Sequence, residues 1–589
     1  MCGIFFSITA AGAPVLPGKE IGQLLDKRGP DGVQHNTTER GASLKLFSHE
    51  GRGRICLSFV STVLSMRGDN IVRQPLTDTD GTGSILAWNG DAWKIAGQSI
   101  PERNDTEIVF SLLLQATTRD YRSGDYSDVS DSIQRVAEAI SKISGPFAFV
   151  FYDAVNAKLY FGRDCLGRRS LLWGLDEEGN FKICSLCDGS SPPTFFQEVE
   201  ADGIYMVNLD GQEPIQAAGP LHFDINNITR IPWSHESLPA YHMISPIPPM
   251  NKATPEGTPS PLTTTSSILR ELEEKLRHSL ALRIQNVREP PSAGDSKVKI
   301  AVLFSGGLDC TLLARLAHDI LPVEETIDLL NVGFENPRVV AAAANGSEPT
   351  SSVYENCPDR ITGRAAFAEL QRICPTRNWR FIAIDVAYAV TLAHRDTVKR
   401  LMRPHNTEMD LSIACALYFA ARGQGTALDS QSLESEPYQY TTPARVLLSG
   451  LGADELFAGY ARHGIAFSRN GFEGLINEIE LDVSRLGKRN LGRDNRVIAH
   501  WGREARFPFL DEDFVAWVVQ LPVWEKCGFG VPGSPPTDAG IDSEKKALRL
   551  LAHNLGLDNV SREKKRAIQF GSRTAKMEKG KVKGTDALS

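Results

Sequence analysis

The sequence has 589 residues, with 64 Lys+Arg against 72 Asp+Glu and a formal net charge of −8. Hydrophobic residues make up 41% and charged residues 23%, an ordinary globular balance that excludes a mainly disordered, collagen-like or coiled-coil chain. The length supports more than one core, about four units at ~150 residues each or two large ones.

The mild acidity gives no global argument for a nucleic-acid or membrane partner. Ten cysteines are too sparse for a disulfide scaffold, and they read as reduced thiols of a cytoplasmic protein, with nuclear presence allowed. Cys184 and Cys187 form a lone CxxC with no second pair to complete a zinc site, so they read as strand residues. No apolar run approaches the roughly 18 residues of a membrane span. Residues 1–17 are mostly apolar and include Ala11-Gly12-Ala13, which mimics a signal-peptidase site. They lack the positively charged start of a leader, so none is expected.

Residues 1–215 carry short apolar runs rich in β-formers at 55–60, 84–88, 147–152, 158–162 and 203–209, separated by turn residues. Helices are expected at 105–114 and 132–143. Residues 216–266 read as a linker, because 232–266 is rich in Pro, Ser and Thr without periodicity; a strap over one domain is the alternative. From 267 to 589 the pattern changes. Ile268, Leu269, Leu272, Leu276 and Leu280 repeat at helical spacing, and 297–304 is a strand running into a helix. Runs at 327–332 and 446–449 are further buried strands, so this part predicts a parallel α/β sheet. Residues 284–296, 335–358 and 424–444 read as inserted loops. The last 29 residues carry nine Lys/Arg against three acids and read as a solvated tail, with phosphate contacts from its first part as the alternative.

The chain begins Met-Cys-Gly-Ile. Removal of Met1 leaves Cys2 with a free α-amine, an internal base beside its own thiol. Leu86-Ala87-Trp88-Asn89-Gly90-Asp91 ends a strand in Asn-Gly, where a side-chain amide and a backbone N–H can converge on one oxygen. Asp105, at a helix start, is a carboxylate for a substrate ammonium. With Arg28-Gly29-Pro30-Asp31 and the run from Gly162 to Leu171, these residues resemble the glutaminase domain of class II glutamine amidotransferases, which are N-terminal-nucleophile hydrolases.

That resemblance implies a four-layer αββα fold. It makes Cys2 the nucleophile on glutamine, gives oxyanion binding to Asn89 and Gly90, and assigns glutamine contacts to Arg28, Asn89, Gly90 and Asp105. The arginine that usually grips the glutamine carboxylate falls on Val63, with Arg67 and Arg73 nearby.

Strand 297–304 leads into Ser305-Gly306-Gly307-Leu308-Asp309-Cys310 and a helix, a phosphate cradle without the Gly-Lys-Ser/Thr ending of a Walker loop. Asp309 is placed to ligate Mg²⁺ beside phosphates. The loop resembles the pyrophosphatase loop of adenylating enzymes, with Cys310 where serine is usual. Ser449-Gly450-Leu451-Gly452-Ala453-Asp454-Glu455 and Arg506-Phe507-Pro508-Phe509-Leu510-Asp511 resemble the asparagine synthetase family. Residues 359–364, 490–494 and 569–578 bring the likeness to one eukaryotic branch of asparagine synthetase-domain proteins.

The resemblance implies ATP contacts from Leu303, Ser305, Gly306, Gly307, Asp309, Val332, Ser449 and Gly450. It gives the metal, Mg²⁺, to Asp309 and Asp454, and phosphate contacts to Lys565 and Arg566. Asp511 and Arg506 are expected to brace the fold. Leu451 stands where the family has a glutamate thought to accept a proton in the amide-forming step. The expected small molecules are glutamine, aspartate and ATP, with no membrane or nucleic-acid partner and a homodimer allowed.

Overall fold

The computed structural model describes residues 1–10, 14–43, 46, 52–100, 103–118, 129–188, 196–210, 223–236, 238, 240–289, 298–344, 352–429, 436–531, 540–577 and 583–588. Two compact units are present. The first comprises Met1–Pro246 with Arg400–His405 and Leu486–Gly502, and the second comprises Ile247–Lys399, Asn406–Arg485 and Arg503–Ser589.

In the first unit, successive side chains of a strand point to opposite faces, so each long strand can turn one face to a neighbouring layer. A six-stranded sheet runs Gln197–Glu198, Leu172–Leu175, Phe181–Cys184, Gly3–Ala10, Arg52–Val63, Gly32–Ser43. A seven-stranded sheet runs Met243–Ile244, Ile228–Ser234, Gly203–Asn208, Lys158–Arg163, Phe147–Asp153, Ile85–Gly90, Leu76–Thr77. Ile4, Phe6, Ile8, Leu57 and Phe59 of one meet Ala87, Val150, Leu159 and Phe161 of the other in a shared core. The opposite face of the second sheet presents Leu86, Trp88, Phe149 and Tyr160 to the helices Asp105–Thr117 and Val129–Ser141. The helix Lys19–Arg28 buries Ile21 and Leu25 against the first sheet. The layers are therefore helix, sheet, sheet, helix, as the αββα expectation has it. Residues 3–10, which mimic part of a leader, are a central strand; Ala11-Gly12-Ala13 lies outside the described residues.

The second unit holds a seven-stranded sheet in the order Tyr438–Thr441, Gln424–Asp429, Trp379–Val386, Ile327–Phe334, Ile300–Leu303, Val446–Leu448, Glu504–Arg506. The last five are parallel and the first two form an antiparallel edge hairpin. Strand order reverses at Ile300–Leu303, so the carboxyl ends of Ile300–Leu303 and Val446–Leu448 frame a topological switch point, where open α/β sheets bind ligands.

Several local expectations change. Residues 424–444 contain the edge hairpin, whose polar, half-exposed strands carry no apolar alternation. Within 335–358, Pro337–Ala344 is a helix too short to show periodicity. In the expected linker, Ile228–Ser234 pairs with Gly203–Asn208; Pro232, which has no N–H, pairs there with Gly203. Residues 247–266 follow the strap alternative, since Asn251 N donates to Val519 O at 2.9 Å and Asn554 Nδ2 to Thr264 O at 2.8 Å. The first part of the basic tail is packed: Ser561, Gln569, Ser572 and Thr574 are buried, and Phe334 N donates to Ser572 O at 3.0 Å. Glu578 lies outside the described residues.

Asp511 caps the helix Glu512–Gln520, accepting from Asp513 N and Phe514 N, and pairs with Arg283 at 3.0 Å, both side chains being buried. Arg506 donates to Glu504 Oε1 at 2.6 Å and to Arg283 O at 2.5 Å. These two residues brace the fold. Asp511→Ala leaves the Arg283 guanidinium buried without its carboxylate, so urea unfolding should record a loss of about 3–5 kcal/mol.

Candidate functional site

In the first unit, Cys2 is 8% exposed and directly precedes the central strand Gly3–Ala10. Gln74 Nε2 lies 3.9 Å from Cys2 Sγ and 3.3 Å from Thr106 Oγ1, while Gln74 Oε1 accepts from Trp88 N at 2.8 Å. Gln74 thus ties the thiol to the strand Ile85–Gly90. Nothing in the sequence singled it out, because a lone glutamine before a proline carries no chemical signal.

Asn89 shares its strand face with Ile85 and Ala87, toward the other sheet. It is fully buried, and neither its Nδ2 nor its Oδ1 has a hydrogen-bond partner among the described residues. A buried amide left unpaired costs stability, and such groups mark functional positions. A Cβ on Gly90 would lie 2.7 Å from Phe147 Cβ, so only glycine lets the backbone pass there.

Asp105 Oδ2 accepts from Trp88 Nε1 at 3.1 Å and Ala92 N at 2.9 Å. Burial pushes its carboxyl above the ordinary range, and the Arg67 guanidinium opposes the shift. Arg28 is fully buried, donates from Nη2 to Asn495 Oδ1 at 3.1 Å, and keeps Nε and Nη1 without a partner among the described residues. Burial lowers it to about 9, and the Cys2 thiol is among the groups that act on it.

Val63 is buried beside the Arg-Gly-Pro-Asp turn: Asp31 N donates to Val63 O at 2.9 Å, and a Cβ on Gly29 would overlap Thr62 and Val63. Of the arginines near it in sequence, Arg67 is held by Ala92 O at 2.7 Å and Ile100 O at 3.0 Å, and Arg73 is exposed. Asn495 belongs to the helix Leu491–Ala499, which lies in the first unit although the expected boundary assigned it to the second. From that helix Arg496 pairs with Glu198 and donates to Ser170 Oγ at 2.9 Å.

In the second unit, a cavity of about 150 Å³ lies at the switch point. Its lining includes Leu303, Ser305, Gly307, Asp309, Gly450 and Asp454. Lys565 and Arg566 join them from the chain's last stretch. Gly306 has φ +80°, and a Cβ there would overlap Thr362 and Gly363, so the loop presses directly on the helix Pro358–Ile373. A Cβ on Gly450 would lie 2.7 Å from Asp309 Cβ. Val332 is 8% exposed on the neighbouring strand and Ser449 N donates to Arg506 O at 3.0 Å; neither lines the cavity. Cys310 Sγ is 3.4 Å from Gly307 O and 3.6 Å from Ser305 Oγ, in the place of a hydroxyl, and burial raises the thiol.

The two acids expected to hold a metal converge on one cation. Lys545 Nζ lies 2.9 and 2.8 Å from Asp309 Oδ1 and Oδ2 and 2.8 Å from Asp454 Oδ1, and Lys565 also pairs with Asp454. Burial works against the Asp454 carboxylate, but the Lys545 and Lys565 ammonium groups outweigh it and hold its pKa well down. Asp309 is raised by burial, which Lys545 offsets only in part. Two hard carboxylates spaced to share a positive charge suit Mg²⁺. Lys545 lies outside every motif used in the sequence reading; its only local signal is a Glu-Lys-Lys step before an apolar run.

The sequence profile described as Glutamine amidotransferase domain matches residues 64–188, and that described as Asparagine synthase matches residues 473–585. Asparagine synthetase domain-containing protein 1 of Bos taurus is 34% identical over 613 aligned positions, covering 90% of each chain. Asparagine synthetase domain-containing protein YML096W of Saccharomyces cerevisiae is 32% identical, covering 90% of this chain and 86% of its own. Asparagine synthetase [glutamine-hydrolyzing] 1 of the same yeast is 24% identical, covering 80% of this chain and 69% of its own. Among the described residues no helix is long and apolar enough to cross a membrane.

The unpaired amide of Asn89 gives a stability test that needs no substrate. Asn89→Leu replaces two buried unsatisfied atoms with apolar ones of similar shape, so the variant should melt at the wild-type temperature or above it in calorimetry.

Proposed function

This chain belongs to the family of asparagine synthetase domain-containing protein 1, and from that premise we propose that it is a glutamine-dependent ligase forming asparagine from aspartate with ATP. The observation that carries the reading is the convergence of Asp309 and Asp454 on one cation beside the glycine loop, at the switch point of a parallel sheet.

In the first unit, Cys2 Sγ attacks the glutamine carboxamide carbon after Met1 is removed; its α-amine takes the thiol proton and passes it to the amide nitrogen. The C–N bond breaks to release ammonia, and water then cleaves the thioester to glutamate. The Asn89 amide and the Gly90 N–H stabilise the oxyanion, and removal of one such donor typically costs 10²–10³-fold. Asp105, which already accepts two hydrogen bonds, binds the substrate ammonium. Arg28 has two unpartnered nitrogens for the carboxylate that Val63 cannot hold.

In the second unit, backbone N–H groups of the loop and helix start hold the ATP phosphates, with Lys545, Lys565 and Arg566 supplying positive charge. Leu303 and Gly450, which line the cavity, take the nucleoside. Asp309 and Asp454 would hold Mg²⁺, which when bound neutralises developing phosphate charge. The aspartate β-carboxylate attacks the α-phosphorus and releases pyrophosphate. Ammonia then displaces AMP to give asparagine.

The test is asparagine and AMP formation by purified protein with Mg-ATP and aspartate, using ammonium or glutamine. Both nitrogen sources should yield asparagine. Cys2→Ala should abolish the glutamine-dependent reaction and keep the ammonium-dependent one. Absence of aspartate-dependent AMP with folded protein overturns the reading and favours another acceptor or a role as a scaffold.

A further inference from the structure

Ammonia that attacks an activated carboxyl becomes a cationic adduct, and a base must take its proton. The position that the family resemblance gives to that base is Leu451, which has none. The acids lining the cavity are Asp309, Asp359, Asp454 and Glu563. Asp309 and Asp454 are held by Lys545 and Lys565, and Glu563 pairs with Arg566 at 2.9 Å. Glu455 does not line the cavity; it accepts from Tyr460 OH at 2.6 Å and from Gly452 N at 3.2 Å. Asp359 alone of the four has a carboxylate with no hydrogen bond or ion pair among the described residues, and it is 7% exposed.

Its position is well fixed. Asp359 stands in the first turn of the helix Pro358–Ile373. Thr362 Oγ1 of that turn donates to Ser305 O at 2.9 Å, and Asn331 Nδ2 donates to Asp359 O at 2.8 Å. On the other side the carboxylate is pressed against Gly571, where any Cβ would overlap it. Loop, strand and the 560–571 segment thus hold one unpaired carboxylate against the wall of the cavity.

We propose that Asp359 is the general base of the amide-forming step, in place of the acid missing at Leu451. The inference rests on the synthetase reading above. The ammonia lone pair forms the C–N bond to the acyl carbon. The C–O bond to AMP breaks, its electron pair leaving with the phosphate. The surplus proton passes from nitrogen to the Asp359 carboxylate and then to solvent. Burial raises this carboxyl to about 7, with Arg566 lowering it and Glu563 raising it as the charged groups that face it. A carboxyl raised toward neutrality suits a base that must both take and release a proton. The carboxylate form grows as pH rises through 7, so amide formation should rise with it.

Three reactions of wild type, Asp359→Asn and Asp359→Glu test this: aspartate-dependent ATP–pyrophosphate exchange, amide formation from ammonium, and hydroxamate formation from hydroxylamine, a stronger nucleophile that is unprotonated at neutral pH. Asp359→Asn should slow amide formation about 10²–10⁴-fold and remove its rise through pH 7, with exchange and hydroxamate formation falling far less. Asp359→Glu should recover part of the amide rate. Parallel loss of exchange and amide in Asp359→Asn would make Asp359 a nucleotide contact and overturn the inference, as would an unchanged amide rate. Absence of exchange in wild type overturns the synthetase reading itself, and the inference with it.

Discussion

A charge taken out of water must find a partner, and both units are organised round that constraint. In the second unit two half-buried carboxylates would repel each other across the switch point if nothing stood between them. Lys545 occupies that place and Lys565 supports it from the far end of the chain. Helix, loop and terminal segment are thereby fixed to one another by a cluster of four charges. In the first unit Arg163 and Arg496 converge on Glu198 in the same way, and Arg496 brings with it the helix that supplies Asn495 to Arg28. Breaking such a buried pair is far costlier than losing a surface one, because the remaining charge stays desolvated.

Against that background the unpaired groups stand out. Asn89, Arg28 and Asp359 are buried, polar and incompletely partnered among the described residues. Structures tolerate such cost where a ligand supplies the missing contact. The two sites are built on different principles. The first hangs chemistry on the ends of strands whose other residues form a sheet-to-sheet core. The second gathers loops at the carboxyl edge of a parallel sheet, where glycines at 306 and 450 let neighbouring backbones approach.

The legible parts of the sequence were those with a local physical signature. The long apolar runs became core strands, and Asn104-Asp105 opened a helix as its capping side chain requires. That Asp309 and Asp454 lie together at one cavity was expected because each sits in a motif of glycines and acids. What lacked local contrast was misjudged. The polar edge hairpin at 424–441 looks like loop because one side of it faces water, and the packed start of the basic tail looks solvated because its buried groups are Ser, Gln and Thr.

The sequence by itself determined the two kinds of architecture, the motifs at Cys2 and at the glycine loop, and three departures from the family pattern at Val63, Cys310 and Leu451. Periodicity and motif spacing are properties of neighbours along the chain, so they survive without coordinates. Only tertiary structure decided that Lys545 lies between Asp309 and Asp454, that Arg67 is engaged while Arg28 keeps two nitrogens open, and that the helix Leu491–Ala499 serves the first unit. Each depends on residues far apart in the chain, whose pairing is set by burial and charge compensation.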